Sequence, residues 1–245
     1  MELKTRWDII NAFIRARSCH TYLEIGYYKG WNFDKIEAPL KVAIDPHPCK
    51  DAFQENAPSG SIIADTLASF VVKMSSNGYF SKKNEVDEEI LSHILLGSHD
   101  SIEYDVIFID GLHYAYQVDL DIHNGLKNLS KNGVILLHDC NPPTLEHVTE
   151  GAPNGEWNGD VYKSFINYRR EGRYLAYTIN EDWGIGVIDT SAKRRENNIL
   201  NNDAFYHWEV FSRNRADLLG LIDSKDLESL MSISNIESEE EIKQE

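Results

Sequence analysis

The chain has 245 residues and a formal net charge of −16. A field of that sign repels phosphate backbones and anionic bilayers, which excludes nucleic acid and membrane surfaces as expected partners. Apolar residues make up 42% of the chain and aromatics 11%, so it can fill a large core, and disorder is excluded as its overall state.

Part of the acidic excess sits in the tail from Glu237 to Glu245, read as a solvated terminus. Cys19, Cys49 and Cys140 are scattered and form no CxxC pair, which fits a reducing compartment. Met1 to Arg17 carries Glu2, Lys4, Arg6, Asp8, Arg15 and Arg17 and no unbroken apolar run, and no window approaches the ~18 apolar residues of a membrane span. The expected location is the cytoplasm.

Leu3, Trp7, Ile10 and Ile14 recur at helical spacing and predict an amphipathic helix over residues 3 to 17. Thr21 to Gly26 reads as a strand ending at a glycine, with a helix from about Trp31. Lys41 to Asp45 is a second strand, stopped by Pro46 and Pro48. Ser61 to Asp65 reads as a third strand and Thr66 to Met74 as its following helix. Residues 75 to 102 are a polar excursion with a helix near Val86 to Leu96. Tyr104 to Asp110 is the strongest strand. Val118, Ile122, Leu126 and Leu129 then mark a helix, Asn132-Gly133 a turn, and Val134 to Leu137 a buried strand ending at His138-Asp139. Further on, Val161 to Arg170 is a helix capped by Asp160. Tyr174 to Asn180 and Gly184 to Asp189 are two strands forming an antiparallel edge, and a helix is expected near Ala216 to Met231.

Alternating strand and helix from residue 21 to 140 predicts an α/β fold: a Rossmann-like, doubly wound, mainly parallel sheet with an antiparallel edge and added helices. Residues 1–190 are assigned to this domain, with 75–102 as an insertion, and 191–245 to a C-terminal helical extension with the acidic tail. Ligands on such sheets bind at the carboxyl ends of the strands. Gly26, Asp45, Asp65, Asp110 and Asp139 fall on that rim. Core packing does not ask for four aspartates there, whereas a site does.

Glu24-Ile25-Gly26-Tyr27-Tyr28-Lys29-Gly30 has the form ExGxxxG on a strand-to-helix turn. Glycine is needed where the backbone turns sharply against a ligand. Asp45 ends the next strand, where a carboxylate can accept hydrogen bonds from ribose hydroxyls. With these features the sequence resembles the class I S-adenosylmethionine-dependent methyltransferases over roughly residues 20 to 145. The resemblance implies that Glu24, Gly26 and Gly30 line the methionine and ribose side of S-adenosylmethionine. It also implies that Asp45 holds the ribose diol, that Asp65 sits near the adenine, and that Asp110 faces the cofactor. Tyr28 takes the place of the usual middle glycine. It also breaks the GxGxxG pattern of a nicotinamide enzyme, and no GxxxxGK[ST] loop is present.

Phe108-Ile109-Asp110-Gly111-Leu112-His113 and Leu136-Leu137-His138-Asp139-Cys140-Asn141-Pro142-Pro143 end neighbouring strands. Two carboxylates and an imidazole there can hold a hard divalent cation such as Mg2+, with Asp110, His138 and Asp139 as the candidate ligands. Both motifs resemble the branch of class I methyltransferases acting on sugars, antibiotics and other small hydroxylated molecules, some of them metal-dependent. His113, three residues after Asp110, is the candidate general base, and Asp110 and Asp139 complete the catalytic set. Cys140 lies there too, but no pattern marks it as a nucleophile.

The expected activity is methyl transfer from S-adenosylmethionine to a hydroxyl of a sugar, glycan intermediate or natural product. A non-catalytic S-adenosylmethionine-binding protein and a nicotinamide-dependent oxidoreductase stand as alternatives. Assembly into a homo-oligomer is left open.

Overall fold

The computed structural model describes residues 3–45, 68–73, 103–150, 156–193 and 203–227. The first helix, α1, spans Arg6–Arg17. Thr5 caps its N-terminus in a capping box with Asp8, whose carboxylate accepts the Thr5 backbone N–H, and Ser18 closes the other end in a left-handed conformation. Ile9, Ile10, Phe13 and Ile14 form its buried face; the spacing marked Ile10 and Ile14 of these, whereas Trp7 is only half-buried. Leu3 precedes the helix but is buried with them.

Among the described residues eight strands make one sheet: β1 Thr21–Ile25, β2 Leu40–Asp45, β3 Ala68–Lys73, β4 Tyr104–Ile109, β5 Leu129–Leu137, β6 Tyr174–Ile179, β7 Ile185–Lys193 and β8 Leu221–Ile222. Their order is β3-β2-β1-β4-β5-β7-β6-β8. The first five pair in parallel, β7 runs antiparallel to both β5 and β6, and β8 lies parallel to β6. This is the expected Rossmann-like α/β sheet with its antiparallel pair.

Among the described residues four helices follow α1: α2 Ala115–Lys127, α3 Leu145–Val148, α4 Val161–Glu171 and α5 Trp208–Leu219. Successive side chains of a strand point to opposite faces, and β4 shows the consequence. Val106 and Phe108 join a core with Ile9, Ile10 and Phe13 of α1, whereas Ile107 and Ile109 join the one containing Val118, Ile122, Phe165 and Phe211. The sheet is therefore covered on both faces, as near-continuous apolar strands such as Val134–Leu137 require.

Several elements differ from expectation. The helix from Trp31 is a single 3-10 turn, Phe33–Lys35, because Pro39 pushes the backbone before it into extended geometry and β2 starts at Leu40. The helix expected over 66–74 is replaced by β3, whose Phe70-Val71-Val72 run suits parallel pairing with Val42 to Ile44. The strand at 61–65, with Asp65, and the excursion at 75–102 lie outside the described residues. Strand β5 begins at Leu129, which was expected on the preceding helix, and it absorbs Asn132 at φ 66 through a register shift against β4. Asp160 precedes α4 but makes no side-chain cap; its carboxylate pairs with Lys163 at 2.6 Å instead. The last helix comes earlier than Ala216 to Met231, because Gly220 in left-handed geometry ends it and β8 follows. Among the described residues no helix is long and apolar enough to cross a membrane.

Candidate functional site

The strand order reverses between β1 and β4, and in such sheets the crevice at that switch point takes the ligand. Two segments meet there. The loop after β1 enters through Gly26, at φ 100. A Cβ at Gly26 would overlap the Asp110 carbonyl, so only glycine lets the loop lie against the end of β4. Tyr28 follows at φ 47 and Gly30 at φ 76, which coils the loop away from the strand. The Tyr28 backbone N–H donates to Asp45 Oδ2 at 2.8 Å, so Asp45 fastens the loop to the end of β2.

Glu24 is buried beneath this loop. Tyr22 Oη donates to its Oε2 at 2.5 Å and Asn32 Nδ2 donates to the same oxygen at 2.7 Å. Burial pushes the Glu24 carboxyl up to about 8, against the opposing pull of those two hydrogen bonds.

The second half of the rim is built by the ends of β4 and β5. His113 Nε2 stands 3.3 Å from Asp110 Oδ1 and 3.3 Å from Asp139 Oδ2. Its Nδ1 lies 2.7 Å from the Trp157 carbonyl, which can only accept, so Nδ1 carries a proton and Nε2 is the atom that changes state. The Trp157 ring packs beside the imidazole at a centroid distance of 5.8 Å. Asn158 Nδ2 donates to Asp139 Oδ1 and leaves Oδ2 for the histidines. A Cβ at Gly159 would overlap the His113 carbonyl, and the Asp160 N–H donates to that carbonyl at 2.7 Å. The 157–160 segment therefore locks His113 and Asp139 together.

His138 is buried among three carboxylates. Its Nδ1 is 3.1 Å from Asp139 Oδ2 and 3.4 Å from Asp110 Oδ1, and its Nε2 is 3.3 Å from Asp182 Oδ1. Neither contact of Nδ1 has hydrogen-bond alignment. Burial disfavours the imidazolium, but Asp139 and Asp110 outweigh it and raise His138 well above its ordinary range. For His113 burial also opposes the charge, and Asp110 and Asp139 raise it. Burial would neutralise Asp110, yet His138, His113 and Arg6 hold it well below the usual carboxylate range.

The rim thus brings together Glu24, Gly26, Gly30, Asp45, Asp110, His113, His138 and Asp139 of the expected set, while Asp65 is outside the described residues. The expected metal ligands were Asp110, His138 and Asp139. Among the described residues, Asp110, His113 and Asp139 have donor atoms that all lie within 4.8 Å of one another, and His138 Nδ1 faces the same two carboxylate oxygens. Cys140 is fully buried, and burial pushes its thiol up, consistent with an inert packing role.

Three residues of the site escaped sequence reading: Arg6, Asn158 and Asp182. Arg6 reaches Asp110 from α1 at 2.6 Å. Asp182 sits in the β6–β7 turn, where Asp182, Trp183 and Gly184 take φ values of 44, 63 and 86 in succession. That turn also accepts the Cys140 N–H at the Gly184 carbonyl and the Asn141 N–H at the Trp183 carbonyl. The sequence cue for it was Glu-Asp-Trp-Gly between two strands, a turn signal with no chemical signature.

The fold and rim define a Rossmann-like domain with an acidic, imidazole-bearing cluster beside a glycine loop. Residues 23–140, just under half of the chain, match the family model described as a methyltransferase domain. No curated protein matches. Among solved structures, the chain is similar to the methyltransferase PaMTH1 of Podospora anserina with SAH bound, at 20% identity and TM-score 0.47, covering 78% of each chain. It is also similar to an O-methyltransferase from Bacillus cereus in complex with SAH, at 14% identity and TM-score 0.43, covering 78% of this chain and 80% of that one. A third is the O-methyltransferase TomG from Streptomyces achromogenes, involved in tomaymycin synthesis, in complex with SAM, at 14% identity and TM-score 0.41, covering 76% and 79%. At this level of likeness these structures carry no weight for the chemistry.

Proposed function

We propose that the protein transfers a methyl group from S-adenosylmethionine to a hydroxyl of a small molecule, a sugar, glycan intermediate or natural product being the expected acceptor. The carrying observation is the Asp110–His113–Asp139 group, set at the switch point of the sheet where Gly26 of the glycine loop packs against the Asp110 backbone. The methyltransferase-domain match over residues 23–140 supports the same reading.

Gly26 and Gly30 let the loop wrap the cofactor, Glu24 supports that loop from beneath, Asp45 fastens it and offers carboxylate oxygens to the cofactor's hydroxyls, and Asp110 closes the far side. Methyl transfer is an in-line displacement, so the chain must chiefly aim the acceptor oxygen at the methyl carbon and remove its proton. His113 is oriented for proton removal, since Nδ1 is tied to Trp157 and Nε2 is the base. Asp110 and Asp139 stabilise the imidazolium that forms.

The same atoms fit a divalent ion. Neighbouring ligands bound ~2.0–2.2 Å from one ion stand about 3 Å apart, and His113 Nε2 lies 3.3 Å from each carboxylate oxygen. Asp110, Asp139 and His113 would hold it, and it would supply Lewis-acid activation of the acceptor hydroxyl. Ligand and base use one lone pair of His113 and exclude each other, so metal dependence of turnover decides between them.

The test is transfer of labelled methyl from S-adenosylmethionine to a panel of hydroxylated small molecules, with and without EDTA. Transfer to a hydroxyl supports the assignment. Label appearing only on amines, or on no acceptor although the cofactor binds, contradicts it.

A further inference from the structure

Arg6 stands at the first position of α1, and its side chain leaves the helix for the rim of the sheet. Nη1 donates to Asp110 Oδ2 at 2.6 Å. Nε and Nη2 reach the two oxygens of Asp182, each at 3.2 Å. The backbone N–H of the same residue donates to Asp182 Oδ2 at 2.7 Å. A guanidinium presents its donors as a rigid fork, so one side chain bridges two carboxylates from two distant strand ends.

Those carboxylates do not act alone. Through His138, Asp182 is linked to Asp110 and Asp139. All three aspartates favour the charged guanidinium against its burial. Three like charges gathered at one rim repel one another, and within this cluster Arg6 is the only group whose positive charge does not depend on pH.

Packing of the helix does not call for this arrangement. Ile9, Ile10 and Phe13 dock α1, and Thr5 and Asp8 cap it. Exposed ion pairs contribute little to stability. Arg6 instead keeps 23% of its side-chain exposure while facing Asp110 at 18%, which places the pair at the mouth of the site and not on the outer surface.

We propose that Arg6 is a positioning residue acting through Asp110 and Asp182, the resident counter-ion of the acidic reaction centre, whose charge any divalent ion entering the site must oppose. The N-terminal helix thereby belongs to the site. This rests on the reaction centre proposed above. Asp110 Oδ1 faces the two histidines independently of Arg6, so replacing the arginine removes charge more than it removes orientation.

The experiment is calorimetric titration of the full chain with MnCl2 for the wild type, Arg6→Lys and Arg6→Gln, with folding checked by circular dichroism. Loss of a positive charge a few ångströms from the cluster is expected to tighten Mn2+ binding by about tenfold or more in Arg6→Gln. Arg6→Lys keeps the charge and is expected to stay within about threefold of the wild type. Should Arg6→Gln not fold, Arg6→Met keeps the length of the stem and is read in the same way. Mn2+ binding that is unchanged or weaker in the neutral variant, equal gains in the lysine and neutral variants, or no Mn2+ binding by any of them overturns the proposal. Titration of the wild type with S-adenosylhomocysteine in parallel tests the methyltransferase reading separately, since it does not depend on Mn2+.

Discussion

Asp110 divides its two oxygens between different partners. Oδ2 accepts from Arg6, and Oδ1 faces His113 and His138. A carboxylate so placed cannot be replaced by an amide without leaving one side mismatched. Glu24 shows the opposite balance, with its carboxyl pushed up to about 8 by burial. The sign follows from linkage: the unfolded chain ionises Glu24 near 4.5 and the folded chain near 8, so this group erodes stability as pH rises from about 5 to 8. Glu24→Gln should flatten that part of the pH–stability curve and raise stability at pH 8 by a few kcal/mol. Chemical denaturation at pH 5 and pH 8 measures it, and an unchanged slope would show that Glu24 is ionised in the fold. Asp45→Ala should weaken S-adenosylhomocysteine binding by about tenfold, because it removes the Tyr28 anchor as well as a carboxylate for the ribose. His113→Ala should leave that affinity nearly intact and lower turnover on the true acceptor by about a hundredfold or more. Unaffected turnover would place the base elsewhere. At this scale, Glu24, Gly26, Asp110 and Asp139 were legible because each lies at the end of a strand, where the pleat and the topology assign a place. Arg6 and Asp182 were not, because Arg6 reaches Asp110 across 104 positions of sequence and Asp182 reaches His138 across 44, and neither carries a local pattern.

The elements that hold these residues differ in how firmly the sequence specified them. β1, β2, β4, the end of β5 and the β6–β7 pair follow from apolar runs bounded by turn residues, and the period of α1 follows from its buried face. The misplacements share a cause: a short apolar run reads equally well as strand or helix until pairing decides. Leu129 extends a helical spacing yet pairs with Tyr104, and Phe70 to Val72 pair with β2. The glycine loop after β1 allows a sharp test at this level. Gly26→Ala places a Cβ on the Asp110 carbonyl at φ 100, so it should cost several kcal/mol of stability and abolish cofactor binding. Thermal unfolding would detect it, and a wild-type midpoint would show that the loop lies elsewhere. The β6–β7 turn is the second such point. A Cβ at Gly184 would overlap Asn141, so this turn fixes the backbone that follows Asp139.

On the scale of the whole molecule, the strand order reverses where the polar rim gathers, and both apolar faces are closed by helices. The rim is left as the place where polar groups can gather. The chain's charge of −16 turns away polyanions, while the site concentrates carboxylates around two imidazoles and one guanidinium. A site that used His113 as a ligand, as proposed, would favour later first-row ions over magnesium. Mn2+ or Zn2+ should therefore bind at least about tenfold more tightly than Mg2+ in competition experiments, and a preference for Mg2+ would remove His113 from the ligand set. The proposed chemistry depends first on the glycine loop and Asp45 forming an S-adenosylmethionine site. Calorimetric titration of the full chain with S-adenosylhomocysteine tests this without reference to any acceptor. One-to-one binding in the micromolar range, lost in Gly26→Ala, is the expected result. No binding by the folded wild type, or binding indifferent to both Gly26→Ala and Asp45→Ala, would contradict it.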